Sequence, residues 1–259
     1  MVIVFLVLKG NFAVFSPKGN QLARWWGKYH RLVPQEDAQQ CLVNESMCRV
    51  CLRHSLAPFM QKDGLNYLRC CHCHATLLSA QQLPSHETQL QKYLQHENDP
   101  QDIRYREFLN RLAAPLLAAL PPKQVGLDFG CGPGPALANM LSEAGHAMHL
   151  YDPFFSPDSA VLDQQFDFVT CTEVAEHFHQ PHAEFTRLVA LLKPGGLFAL
   201  MTNFQTDDGR FADWHYRRDP THVTFYRQET FQVIAREFDL ACEIPCKNVV
   251  FLRKSGVSS

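Results

Sequence analysis

One stretch constrains this chain more than any other. Leu127-Asp-Phe-Gly-Cys-Gly-Pro-Gly-Pro135 sets glycines at 130, 132 and 134, directly after a short apolar run over 124–129. Glycine is needed where a backbone turns sharply out of a strand, or where a ligand lies against the main chain. The helix predicted over 135–144, closed by Gly145, would aim its unpaired N–H groups at that turn, which suits a negatively charged group. The next apolar run, 146–151, ends at Asp152, 18 residues beyond Gly134. A carboxylate at that place can accept hydrogen bonds from both hydroxyls of a ribose.

The alternation continues. One or two helical turns are expected over 156–164, a strand over 166–172, and a helix over 181–192 stopped by Lys193-Pro-Gly-Gly196. A strand over 197–202 leads into a long polar and aromatic loop, 203–226. A helix over 227–238 and two closing strands, 240–245 and 248–253, complete the chain. Strands alternating with helical runs predict an α/β fold, a doubly wound, mostly parallel sheet whose last strand is antiparallel. This domain is expected over 122–259. Residues 81–121 read as a helical connector, with Leu90, Tyr93 and Leu94, then Phe108, Leu109, Leu112, Leu116 and Leu117, at helical spacing. Pro121-Pro122 stops it.

Ten cysteines are many for an intracellular enzyme, and five fall between Cys48 and Cys73. Cys48, Cys51, Cys70 and Cys73 form C-x2-C-x18-C-x2-C, in which each short pair offers two thiolates to one metal. Four thiolates in a tetrahedron suit zinc and leave no open position, so a structural role is expected. Lys62-Asp-Gly64 between two apolar stretches reads as a hairpin, which makes residues 47–80 a zinc-ribbon-like module. Cys71, His72 and His74 are spare donors; the alternatives are reduced thiols without metal, or iron. Cys41, Cys242 and Cys246 read as packing residues. A net charge of +3 over 47–80 would fit weak docking to RNA or protein.

Composition narrows the class further. With 259 residues, 46% hydrophobic and 19% charged, the chain is neither disordered nor collagen-like. A net charge of −2 does not argue for a polyanion binder. Residues 1–46 are an extension without a usable motif. Its opening run of eight apolar residues is far short of the roughly 20 that span a bilayer, and Lys9 follows that run where a signal peptide would put its charge first. A cytoplasmic protein without a membrane partner is therefore expected, with Met47 an alternative start.

The glycine turn separates two cofactor classes. The dinucleotide fingerprint G-x-G-x-x-G wants a third small residue where Pro135 stands. Asp128-x-Gly-x-Gly-x-Gly134 instead resembles motif I of the class I S-adenosylmethionine-dependent methyltransferases. Leu150-Tyr-Asp-Pro153 resembles that family's ribose-binding strand end, and Phe166-Asp-Phe-Val-Thr-Cys-Thr-Glu-Val-Ala-Glu-His177 its fourth-strand signature. Leu191-Leu-Lys-Pro-Gly-Gly196 is similar to the turn before its fifth strand. The resemblance covers roughly 124–253. It implies S-adenosylmethionine as cofactor, with Gly130, Cys131, Gly132 and Gly134 lining it, Asp128 beneath, Asp152 on the ribose hydroxyls and Thr172 at the fourth-strand end. Glu173 lies where that strand opens onto the reacting methyl group. The chain departs from the pattern over 153–166, where the third strand is short or absent; Phe154 either packs on the adenine or fills the core.

The loop at 211–226 lies after the fifth strand, at the sheet edge where open α/β sheets bind ligands. Trp214, Tyr216 and Tyr226 could form an apolar lid; His215, Asp219 and His222 could supply a base. The segment Asp219-Pro-Thr-His-Val-Thr-Phe-Tyr226 resembles a stretch of some methyltransferases of poorly defined substrate. The catalytic candidates are His222, His177 and Glu173. The competing roles are an Asp219–His222 hydrogen bond that merely fixes the loop, and a helix-starting His177. His179 and His182 read as surface residues. The near-neutral charge and the aromatic loop favour a small-molecule acceptor over RNA. A scaffold that binds the cofactor without turnover, and a nicotinamide oxidoreductase, are the other classes.

Overall fold

A computed structural model describes residues 47–95 and 98–256; the extension read over 1–46 lies outside the described residues. The cysteine-rich segment folds as an antiparallel hairpin, β1 (Leu56–Lys62) and β2 (Leu65–Cys70), followed by β3 (Thr76–Leu78) on β2. The turn between β1 and β2 is Asp63-Gly64, with φ of 55° and 77°. Two left-handed residues in succession match the twist of a tight hairpin, and Asp-Gly tolerates them.

The predicted helical connector resolves into two helices. In α1 (His86–Tyr93) the Ser85 hydroxyl accepts the Thr88 N–H, and in α2 (Ile103–Ala119) the Asp102 carboxylate accepts the Arg104 N–H. Such caps satisfy amides that the first turn leaves without partners. The remaining elements are β4 (Val125–Phe129), α3 (Ala136–Glu143), β5 (Ala147–Tyr151), β6 (Phe166–Thr172), α4 (Pro181–Ala190), β7 (Leu192–Met201), β8 (Thr224–Phe225), α5 (Gln228–Glu237), β9 (Leu240–Cys246) and β10 (Val249–Lys254).

The central sheet runs β5-β4-β6-β7-β10-β9. Its first four strands are parallel, and β10 is antiparallel to both neighbours. Its central strands are buried on both faces, as parallel sheets require. Along β7, Leu197, Ala199 and Met201 pack with α2 and α3, whereas Phe198 and Leu200 pack with α4 and α5. That is the period of two expected of a strand between two helical layers. Among the described residues no strand lies between β5 and β6. A lone bridge between Asp152 and Ser156 and a short helical turn, Ser159–Asp163, take its place.

β7 begins five residues before the strand predicted at 197, because Leu192 already pairs with Phe166. The segment 203–226, expected as plain loop, contains β8, which pairs with β3 through Thr76–Phe225 and Leu77–Thr224. The second sheet is therefore β1-β2-β3-β8. The four cysteines of the spaced motif share one hydrophobic core with Phe178, Phe185, Tyr226, Phe231 and Ile234. No helix among the described residues is long and apolar enough to cross a membrane.

Gly126 sits under the buried Phe168 ring, and a Cβ there would lie 2.2 Å from the ring carbon Cζ. Gly126→Ala should therefore cost about 1–3 kcal/mol by overpacking, read as a lower urea midpoint with an unchanged slope.

Candidate functional site

The parallel strands present their C-terminal ends to a cavity of about 760 Å³. It lies where the strand order reverses between β4 and β6, the switch point at which open α/β sheets take ligands. The glycine turn after β4 forms one wall, and the end of β5 and the residues after β6 form two more. Side chains from the 203–226 segment and from α1 close it.

The turn has the predicted backbone. Gly130 has φ of 77° and Gly132 of 64°, and a Cβ on Gly130 would meet Val174 at 2.4 Å. Asp152 fixes the turn against β5: its Oδ2 accepts the Gly132 N–H at 3.0 Å, and its Oδ1 accepts the N–H groups of Phe154 (2.8 Å) and Phe155 (3.1 Å). Asp128 is buried beneath and accepts the Thr170 hydroxyl at 2.7 Å. Burial raises its pKa to about 6; the Thr170 hydrogen bond opposes that shift and the charge on Asp152 adds to it. Burial also pushes the Cys131 thiol to about 12, so it stays protonated and is no nucleophile.

At the other end stand Glu173, Glu176, His177 and His222, all lining the cavity. Glu173 adopts a left-handed φ of 52° just after β6, a strained conformation of the kind that clusters at functional sites. Burial, and then the nearby Glu176 charge, raise its pKa to about 9. Glu176 is 0% exposed; its Oε2 accepts the Thr202 hydroxyl at 2.9 Å. His177 contacts the Thr221 carbonyl oxygen through Nδ1 at 3.0 Å, and His222 contacts the Tyr216 carbonyl oxygen through Nδ1 at 2.7 Å. A carbonyl only accepts, so each Nδ1 carries the proton in the neutral ring. Burial lowers the His177 pKa to about 4, against an opposing pull from Glu176. The two rings lie 4.7 Å apart.

Of the predicted cofactor residues, Gly130, Cys131, Gly132, Asp152 and Thr172 line this cavity. Asp128 lines a small adjoining one, and Gly134 borders neither. The three catalytic candidates, Glu173, His177 and His222, come together although 49 residues separate Glu173 from His222. Asp219 and His222 are joined through the backbone, the His222 N–H donating to the Asp219 carbonyl at 3.2 Å, while the Asp219 carboxylate accepts the Thr221 N–H and hydroxyl and pairs with Lys92. The lid reading needs correction. Tyr216 lines the cavity, but Tyr226 is fully buried, donating its hydroxyl to the Ala175 carbonyl, and Trp214 packs against the β1-β2-β3-β8 sheet. His179 and His182 are half-buried, not surface residues, and His182 Nδ1 contacts the Val50 carbonyl oxygen. Phe154 stacks on His86 of α1 at 4.4 Å. Sequence reasoning missed Glu176, which stood in the quoted Glu-Val-Ala-Glu-His stretch but whose inward direction is set by the helical turn Ala175–His177.

The four cysteines are buried, with Sγ–Sγ separations of 3.7 Å for Cys48–Cys73 and 3.6 Å for Cys51–Cys70. They form one of two groups among the described residues that could hold a metal ion. Two of the module's basic side chains point inward: Arg49 donates to the Leu78 carbonyl, and Arg69 pairs with Asp208 and Thr76.

Residues 96–243 match the sequence model of a family described as a methyltransferase domain. No curated protein matches the chain. Among solved structures, a 1,6-didemethyltoxoflavin-N1-methyltransferase from Burkholderia thailandensis, with 1,6-didemethyltoxoflavin and S-adenosylhomocysteine bound, is 18% identical with a TM-score of 0.49. The match covers 76% of this chain and 99% of that one. The magnesium protoporphyrin IX methyltransferase of Synechocystis PCC 6803 is 13% identical, with a TM-score of 0.46, over 66% and 95% of the two chains. An O-methyltransferase family protein from Burkholderia thailandensis is 15% identical, with a TM-score of 0.44, over 66% and 68%.

Asp152→Ala would leave three backbone N–H groups at the cavity wall without their acceptor. Thermal or urea unfolding should register a loss of about 1–3 kcal/mol, and Asp152→Asn a smaller one.

Proposed function

The chain belongs to the methyltransferase-domain family, and from its cavity we propose that it moves a methyl group from S-adenosylmethionine to a small-molecule acceptor. The observation that carries this reading is the cavity at the strand ends, with a glycine wall at one end and carboxyl and imidazole groups at the other. Its residues fit the cofactor. The wall has no Cβ at 130 or 132, Asp152 keeps one acceptor position, on Oδ2, beyond the three it gives to backbone N–H groups, and the buried Thr172 hydroxyl lacks a partner among the described residues.

In this reading Gly130, Cys131 and Gly132 cradle the cofactor, Asp152 holds its ribose, and Asp128 supports the turn from below. The cofactor supplies an electrophilic methyl group on a sulfonium sulfur. Most of the catalysis is then positioning, and an oxygen or nitrogen acceptor also has a proton to lose. His222 holds its Nδ1 proton on the Tyr216 carbonyl, which directs its Nε2 lone pair to that task. Glu173 and His177 flank the acceptor. The inward turn of Arg49 and Arg69 favours a small molecule over RNA, because it removes half of the module's basic side chains from docking.

We assign zinc to Cys48, Cys51, Cys70 and Cys73. A tetrahedron with Zn–S bonds of about 2.3 Å has edges of about 3.8 Å, close to the two separations above. The metal would brace the hydrophobic core that these cysteines share with α4 and α5.

Four measurements test these assignments. The purified protein, incubated with methyl-labelled S-adenosylmethionine and a cell extract, should place label in the small-molecule fraction; label in RNA would overturn the acceptor class. Asp152→Ala should weaken S-adenosylhomocysteine binding by at least about tenfold, since a charge-assisted hydrogen bond to the ribose is lost. The protein should also carry one zinc per chain by elemental analysis. Cys70→Ser should lose it and lower the melting temperature of the whole described fold in a single transition.

A further inference from the structure

Glu176, His177 and His222 form a second group whose ligand atoms all lie within 4.8 Å of one another. Two short stretches supply them. Glu176 and His177 sit on the helical turn after β6, and His222 lies two residues before β8. The Val223 N–H donates to the Glu176 carbonyl at 2.9 Å and clamps the stretches together. Glu176 Oε1 is buried and has no hydrogen-bond partner among the described residues, and it faces His222 Nε2 at 4.0 Å. A buried carboxylate oxygen without a partner is costly, and its location asks for an explanation. Glu173 lines the same cavity, and among the described residues neither carboxylate has a Lys or Arg within 4.0 Å.

The outer contacts are those of metal ligands. Imidazoles that bind metals hand their other ring N–H to a carbonyl or carboxylate, which fixes the tautomer, and ligating carboxylates are themselves hydrogen-bonded. Here His177 and His222 both place Nδ1 on backbone carbonyl oxygens, and Glu176 Oε2 holds the Thr202 hydroxyl. Side-chain rotations of about 1 Å would close the present gaps to the roughly 3–3.5 Å that separates ligands bound at 2.0–2.2 Å.

We infer that Glu176, His177 and His222 bind a divalent first-row transition cation at the acceptor end of the cavity. Two imidazoles and one carboxylate select manganese, iron, cobalt, nickel or zinc over magnesium or calcium. Three ligands leave coordination positions open, and the cavity is the space beside them. An acceptor oxygen bound there would release its proton to solvent more readily, because a bound cation lowers the pKa of a coordinated hydroxyl. His222 would then serve as a ligand and not as a base. The acceptor's place on the cation rests on the methyl-transfer reading above; occupancy of the site does not.

The test is a titration of the zinc-loaded full chain with Mn2+, followed by loss of the free-ion electron paramagnetic resonance signal. Mn2+ avoids all-thiolate sites, so the cysteine cluster does not compete. The wild-type chain should bind one Mn2+, and its spin-echo modulation should report two imidazole nitrogens. Glu176→Gln and His222→Ala should each weaken binding at least about tenfold, with S-adenosylhomocysteine binding retained as the check on folding. No Mn2+ bound by the wild-type chain, fewer than two coupled imidazoles, or unchanged affinity in both folded variants would overturn the site. If a variant fails to fold, the wild-type spectrum still decides. A chain that binds Mn2+ in this way but not S-adenosylhomocysteine would sink the methyl-transfer reading and leave the cation site standing.

Discussion

The pairing of β3 with β8 is the contact on which the arrangement of the site depends. It is short, Thr76 with Phe225 and Leu77 with Thr224, yet it joins the cysteine-rich sheet to the segment that carries Tyr216, Asp219 and His222. The contacts around it repeat the connection: the Leu78 N–H donates to the Val223 carbonyl, Thr76 to Gln205, and Arg217 to Asp63. A segment with two residues of strand cannot order itself, because fixing each backbone residue costs about 1–2 kcal/mol. Phe211 and Phe225 offset that cost by packing on Tyr67 of β2. The module at 47–80 thus supports the segment that carries His222, without lining the cavity itself. A disturbance among its cysteines would reach His222 through one sheet.

This arrangement explains what the sequence conveyed and what it withheld. The parallel strands were legible because each is a short apolar run, with glycine or proline beside β4, β5 and β7. Asp128, the glycine turn and Asp152 were legible because they are local: a strand end, a turn and a helix start follow one another within a few residues. β8 was not, since Thr224-Phe225 has no periodicity of its own and becomes a strand only because β3 offers an edge. Tyr226 was misjudged for the same reason. An aromatic in a polar loop reads as a lid until its neighbour's pairing turns it into the core.

Glu176 marks the other limit. A glutamate in the stretch Glu-Val-Ala-Glu-His gives no sign of its exposure; only the turn after β6, tightened by the His177 N–H to Val174 carbonyl bond, rotates it fully inward. Its partner His222 lies 46 residues further on, and the two stretches are clamped by the Val223 N–H on the Glu176 carbonyl, the His177 Nδ1 on the Thr221 carbonyl and the Thr224 hydroxyl on the Phe178 carbonyl. Long-range meetings of this kind depend on the topology that places the ends of β6 and β7 beside the returning segment. No local pattern encodes them.

Charge gives the cavity a preference. Asp152, Glu176, Glu184 and Asp219 line it and Asp128 lies beneath, while Glu173, its pKa raised to about 9, stays protonated near neutrality; Arg187 pairs with Glu184, Lys92 pairs with Asp219, and the Arg111 charge acts on Glu173. Burial raises the pKa of Asp128 even with Thr170 donating to it, and the Asp152 charge adds to that rise. A positively charged ligand relieves that repulsion, and a neutral one of the same shape does not. S-adenosylmethionine carries its charge on the sulfonium sulfur, and S-adenosylhomocysteine has lost it. With S-adenosylmethionine as the proposed donor, the same carboxylates would hold the spent cofactor less tightly. A cation among Glu176, His177 and His222 would soften this preference at the acceptor end and leave it intact at the glycine wall. The two ends of one cavity can in this way favour different charges, one the sulfonium and the other an anionic oxygen.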